Sequence, residues 1–291
     1  MAGFQNLHTH TTYVDGTLSA EEMIKAALKR GCDSLGFSEH SYVPADKRYS
    51  MDPDASLEYI REINELKRKY EGTIEIFLGI EHDYYTAVPV EGLDYCIGAA
   101  HYVKLETEDS NCSGDEQVSY GGGGWGIKFI TVDAGADHQK QMVDEHFGGD
   151  FYTMAEAYFE TIAGINKMRN VDIIAHFDLI AKYNFDGRLF DETHPRYKAA
   201  AIRAMEEILK DCRIFEVNTG MMYRFDKKEP YPSVFLLKEL QRRGGEVILS
   251  SDSHDASSIC YKFGEMQELL VSCGFKYLKR LTNSGFVNVL L

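Results

Sequence analysis

Short apolar runs alternate with amphipathic stretches along this chain, and almost every run ends in a group able to bind a metal ion. "NLHTH" ends in His8 and His10, "DSLGFSEH" in His40, "TIEIFLGIEH" carries Glu81, and "LDYCIGAAH" ends in His101. "VDIIAHFD" carries His176, "RIFEVNTG" carries Glu216 and Asn218, and "EVILSSDSH" carries Asp252 and His254. Strand, helix, strand, helix over the whole length implies parallel strands joined by crossover helices. An open sheet and a closed barrel both satisfy that rhythm. In a barrel all the carboxyl ends meet around one rim, whereas an open sheet spreads them along a line. The expectation is therefore an α/β chain folded as one seven-stranded TIM-like barrel over residues 1–291, with a polar cluster on the carboxyl-terminal rim.

The helices are read from period and caps. In "TLSAEEMIKAALKRG", Ser19 and Glu22 form a capping-box pattern, Met23, Ile24, Ala27 and Leu28 make an apolar stripe, and Gly31 ends it. "SLEYIREINELKRKYEG" repeats the pattern with Leu57, Ile60, Ile63 and Leu66. "FYTMAEAYFETIAGINKMRN", "YKAAAIRAMEEILKDC", "SVFLLKELQRRGG" and "SICYKFGEMQELLVSCG" read the same way, and "FKYLKRL" and "FVNVLL" close the chain. Residues 103–150, with four consecutive glycines, show no clear period. They are expected to form a long loop emerging from the fourth strand on the rim, either as a lid over a substrate or as a mobile insertion without function.

A chain of 291 residues that is 44% hydrophobic can bury a large core. The net charge of −15 disfavours a partner made of long nucleic acid, because a phosphate backbone is repelled. The six cysteines form no C-x-x-C pair, and the opening "MAGFQNLH" lacks the basic and apolar regions of a secretion signal. Reduced thiols in a cytoplasmic protein are expected. No stretch approaches the roughly 18 apolar residues of a membrane span.

Asp15, five positions after His10 in "NLHTHTTYVDG", joins the strand-end groups. His8, His10, His40, His101, His176 and His254 with Asp15, Glu81 and Asp252 make nine candidate ligands. Nine are too many for one ion and suit two or three, especially if Glu81 bridges. Imidazole and carboxylate donors suit zinc, iron or manganese, and the absence of thiolates disfavours a structural zinc knot. Three divalent cations bring six positive charges against three carboxylates, a pocket that selects anions. Bridging ions also lower the pKa of a bound water, supplying hydroxide as nucleophile, and stabilise the attacking and leaving oxygens at phosphorus. Phosphate ester hydrolysis is the chemistry such a centre performs.

Lys182 and Arg224 follow the fifth and sixth strands, where each either clamps phosphate oxygens or sits as a solvated cation. Asp252 either moves a proton to the leaving alkoxide or serves as a ligand alone. Glu216 either meets an ammonium group of the substrate or is a buried structural carboxylate, and the second reading is preferred. His82, His138, His146 and His194 stand outside the set.

"HTH" with Asp15, "SEH" at 38–40, "GIE" at 79–81, "AAH" at 99–101, "AHFDLI" at 175–180 and "SDSH" at 251–254 resemble the ordered motifs of the PHP (polymerase and histidinol phosphatase) family, most of all its histidinol-phosphatase branch. The resemblance implies a distorted (β/α)7 barrel with a trinuclear centre that cleaves histidinol phosphate, a small phosphorylated metabolite, to histidinol and phosphate in histidine biosynthesis. It assigns His8, His10, Glu81 and Asp252 to one ion, Asp15, His40 and His254 to a second, and Glu81, His101 and His176 to a third. Two other readings remain open: a phosphoesterase on the same barrel acting on nucleotides, phosphotyrosine or short oligonucleotides, and a non-catalytic metal-binding protein.

Overall fold

The structure, a computed structural model, describes residues 3–43, 49–86, 91–107, 126–168 and 170–291. The chain runs β1 (Phe4–Asn6), α1 (Ala20–Lys29), β2 (Cys32–Phe37), α2 (Pro53–Lys69), β3 (Glu75–Asp83) and β4 (Tyr95–Ala99). An insert follows, with β5 (Tyr102–Thr107), β6 (Gly126–Thr131) and α3 (Ala136–His146). The alternation resumes with α4 (Phe151–Ala163), β7 (Ile173–Ile174), α5 (Pro195–Ile208), β8 (Ile214–Asn218), α6 (Gly220–Phe225), α7 (Val234–Arg242) and β9 (Glu246–Ser250). It ends with α8 (Phe263–Ser272), β10 (Tyr277–Thr282) and β11 (Gly285–Leu290).

Seven parallel strands stand in the order β1-β2-β3-β4-β7-β8-β9. β1 and β9 do not pair along their own lengths. The ring closes just beyond them at a parallel bridge of Thr9 with Ser253, where the His10 amide donates to Ser253 O at 2.8 Å and the Ser253 amide to His8 O at 3.0 Å. A distorted barrel results, as expected.

Two hydrophobic layers explain why the strands are almost wholly apolar. Leu7, Phe77, Tyr95, Ile97, Ile173, Ile214 and Ile248 fill the inside, while Leu35, Phe37, Phe215, Val217, Val247 and Leu249 face the helices. The Tyr95 ring crosses the barrel interior, its single hydroxyl proton shared between Leu7 O and Phe37 O. It lies against Gly36 and Gly79, where a Cβ would run into the ring. β10 and β11 form an antiparallel hairpin; Leu281 of β10 joins the inner layer and exchanges two hydrogen bonds with the Gln5 side chain, at 2.8 and 2.9 Å.

The capping box is present: the Glu22 amide donates to Ser19 Oγ and the Ser19 amide to Glu22 Oε2. In α2 the expected stripe shifts. Tyr59, Ile63 and Leu66 are buried but Leu57 is 68% exposed, because this helix meets the sheet through the Tyr59 face. His194 caps α5 with its ring and stacks on Tyr152 at 3.9 Å.

Residues 103–150 are not an irregular loop throughout. β5 and β6 pair as an antiparallel hairpin and α3 buries Gln139, Met142 and Val143. The four glycines at 121–124 lie outside the described residues, as does Cys112.

Candidate metal centre

All but one of the candidate ligands reach the rim on or just beyond a strand end; Asp15 reaches it from the turn after His10. Phe77, Gly79 and Glu81 alternate inward along β3, so the same pleat that packs the interior points Glu81 up into the mouth. His40 and Glu81 continue the β2–β3 ladder past its end through a bridge of their own. His8 and His10, expected on a strand, lie beyond β1; the Thr9 bridge to Ser253 preserves their common direction. β7 is only two residues long, and the His176 amide donates to Glu216 Oε1 at 2.6 Å instead of to a neighbouring strand.

All nine groups converge. His8 Nε2 lies 3.4 Å from Glu81 Oε2 and 3.7 Å from Asp252 Oδ1; His10 Nε2 lies 3.6 and 3.4 Å from the same two atoms. Asp15 Oδ2 is 3.1 Å from His254 Nε2 and 3.7 Å from His40 Nε2. Glu81 sits at the centre, with Oε2 at 2.8 Å from His40 Nδ1 and Oε1 at 2.9 Å from His176 Nε2 and 3.4 Å from His101 Nε2. Among the described residues three sets have donor atoms within 4.8 Å of one another: His8, His10 and Asp252; His10, Asp15, His40 and His254; and His40, Glu81 and His101. Relative to the expected grouping, His10 joins the Asp15 set and His40 joins the Glu81 set, while His176 falls in none.

The donors fit ions. His8 Nε2, both ring nitrogens of His10, Asp15 Oδ1 and Glu81 Oε2 are buried and have no hydrogen-bond partner among the described residues. Buried polar atoms are rarely left so, and donor atoms facing one another in this way fit a cation between them. The field agrees. Burial opposes charge on His8, yet Glu216, Glu81 and Asp252 outweigh it and hold its pKa well above the ordinary value. Against the same burial, Glu81 lifts His101 to about 10 and, with Asp15, lifts His40. Burial likewise works against the ionised forms of Glu81 and Asp252, but His40 and His8 hold Glu81, and Arg224 and His8 hold Asp252, well below the carboxylate range.

Three carboxylates behind the imidazoles complete the picture. Glu216 Oε2 accepts from His8 Nδ1 at 2.8 Å, and Asp83 Oδ2 from His101 Nδ1 at 3.1 Å. Glu39 Oε2 lies 3.7 Å from His10 Nδ1, while its other oxygen accepts from the Thr11 amide and hydroxyl. The two hydrogen-bonded partners, Glu216 and Asp83, fix the tautomers of His8 and His101 and raise their basicity as ligands. Among the described residues six carboxylates, not three, thus stand in or around the centre. Sequence reasoning missed Glu39 and Asp83, although Asp83 is two residues from Glu81 on the same strand.

A cavity of about 650 Å³ opens above the cluster, lined by Asp15, His40, Glu81, His101, His176, Asp252 and His254. Arg224 and Lys182 line the same cavity. Arg224 Nη2 donates to Asp252 Oδ2 at 2.8 Å and Nη1 reaches His254 Nδ1 at 2.8 Å. Lys182 Nζ donates to Asp133 Oδ2 at 3.3 Å, so the insert supplies part of the wall.

The family comparison matches this geometry. The PHP domain pattern matches residues 6–220. A protein of Deinococcus radiodurans named "Probable histidinol-phosphatase" is 25% identical over 276 residues, covering 91% of this chain and 92% of that one. The histidinol-phosphatase of Bacillus subtilis is 21% identical over 283 residues, covering 88% and 95%. Among solved structures, histidinol phosphate phosphatase of Lactococcus lactis, complexed with zinc, L-histidinol and phosphate, superposes with a TM-score of 0.68 at 18% identity and covers 99% of this chain and 100% of that chain. With the motif region matched from the first strand through the Asn218 strand, and the barrel and its rim of imidazoles in place, this chain belongs to the PHP domain family.

Proposed function

We propose that this chain is a metal-dependent phosphomonoesterase converting L-histidinol phosphate and water to L-histidinol and phosphate, a step of histidine biosynthesis. One observation carries the reading: six imidazoles and three carboxylates from around the whole ring converge under a single cavity that also holds Arg224 and Lys182. The relatives' names, and the zinc, L-histidinol and phosphate of the Lactococcus lactis complex, support the substrate.

We assign three divalent ions, zinc, iron or manganese, to the centre. His8, His10, Glu81 and Asp252 hold one; Asp15, His40 and His254 hold the second; Glu81, His101 and His176 hold the third. Ions bound there lower the pKa of water and polarise phosphoryl oxygens. The chain does the rest. Arg224 and Lys182 offer donors to the phosphoryl oxygens, each exchanging a carboxylate partner for the substrate. Asp252, held ionised beside Arg224, carries no proton at rest, so any proton it passes to the leaving alkoxide must first reach it from the attacking water. Tyr49, Tyr102, Tyr183 and Phe225 line the outer cavity and present aromatic surface to the imidazole of the substrate.

No helix among the described residues is long and apolar enough to cross a membrane. We place the protein in the cytoplasm, in keeping with its five described cysteines, all unbonded, and with a biosynthetic substrate. The deciding experiment compares kcat/KM for histidinol phosphate, nucleotides and phosphotyrosine. Histidinol phosphate is expected to lead; a tenfold preference for a nucleotide or phosphotyrosine overturns the assignment, and bound metal without turnover of any ester favours a non-catalytic barrel.

A further inference from the structure

Outside the centre, two thiols separated by 228 positions face one another. Cys32 Sγ and Cys260 Sγ lie 3.0 Å apart, about 1 Å more than a disulfide bond. They are the only sulfurs within hydrogen-bond distance of each other among the described residues; Cys96 faces His82 Nδ1 and Cys212 faces Asp172 O. Cys32 begins β2 and is 5% exposed, whereas Cys260 is partly open to solvent. We propose that Cys32 and Cys260 form a redox-modification site, closed into a disulfide by hydrogen peroxide.

The chemistry balances with peroxide as oxidant. One sulfur takes an oxygen from the peroxide, becoming a sulfenic acid as its O–O bond breaks and a first water leaves. The second sulfur attacks it, the S–S bond forms, the S–O bond breaks, and a second water leaves. Two thiols are oxidised by two electrons and one hydrogen peroxide becomes two waters. The hydrogen bond from the Cys260 thiol lowers the pKa of Cys32, favouring the thiolate that such attack needs.

Position gives the bond a consequence. β1 stands between β2 and β9, and the Cys260 amide donates to Ser251 Oγ at 3.0 Å, next to Asp252. A disulfide therefore staples the segment carrying Asp252 and His254 to the strand leading to His40, across the place where the ring closes. A cross-link over so long a loop restricts the unfolded chain strongly, and a rise of several degrees in Tm is expected.

The test uses the full zinc-loaded chain, reduced and then treated with stoichiometric hydrogen peroxide. Peptide mapping without reductant is expected to find Cys32 joined to Cys260 with the loss of two hydrogens, reversed by dithiothreitol, together with the higher Tm. Cys260→Ser is expected to lose the cross-link and the Tm shift. Both cysteines remaining as thiols, oxidation to separate sulfinic acids, or either residue joined to another cysteine overturns the proposal. The mapping on the unaltered chain stands whether or not the variant folds, and it is independent of the enzyme's substrate.

Discussion

Glu216 shows how a single residue governs the centre without touching its open face. It is buried, its two oxygens accept from His8 Nδ1, the His176 amide and Asn218 Nδ2, and it thereby aims two candidate ligands at once. Glu216→Gln is expected to keep the fold and weaken metal binding by about 10- to 100-fold, measured by chelator competition. Removing a proposed ligand should do more: His8→Ala and Asp252→Ala are each expected to lower kcat by more than ~100-fold while the circular dichroism spectrum persists. Near-normal turnover in either variant counts against the site. Eight of the nine candidates could be read from sequence because each stands at the end of an apolar run, where a charged or imidazole group has no packing role, and Asp15 because it follows His8 and His10 so closely. Glu39 and Asp83 could not, because beside His40 and His82 they read as ordinary solvated acids until burial shows their partners.

At the scale of elements, the exchange of bulk between strands is the main packing device. Tyr95 on β4 occupies the space left by Gly36 on β2 and Gly79 on β3. Gly79→Ala is expected to destabilise the fold by about 1–3 kcal/mol, read from the denaturant midpoint, since the ring has a buried barrel wall behind it. The exposed Ser19 cap gives a smaller effect, and Ser19→Ala should cost about 1 kcal/mol without altering metal content. Helices with clear caps and stripes, such as α1, were legible in sequence. The insert was not: α3 has only a short apolar face, and the Val103–Leu105 alternation of β5 has its pairing partner across a glycine-rich gap. Nor was the brevity of β7, which follows from Glu216 taking the His176 amide.

For the whole molecule, the electrostatics of the centre predict opposite pH behaviour with and without metal. The His101 pKa lies at about 10 in the folded, metal-free chain against an ordinary 6.5. Its stabilising contribution is complete below 6.5 and is lost as pH rises through about 10, and His8 and His40, also raised, add to the trend. The Tm of the chelated protein should therefore fall between pH 7 and 9.5. With zinc the ligands must shed protons to bind, so metal stabilisation grows over the same interval, and the gap between the two Tm curves widens. A parallel pair of curves would show that these imidazoles are not shared between proton and metal. On the acid side, Glu81 and Asp252 have depressed values, so their contributions fade as pH falls below the ordinary carboxylate range.

The ring closes where Thr9 meets Ser253, between His8 and His10 on one side and Asp252 and His254 on the other. During synthesis the first two imidazoles leave the ribosome well over two hundred residues before Asp252 and His254 do. The full set of donors is thus out of reach of any nascent product that stops short of His254.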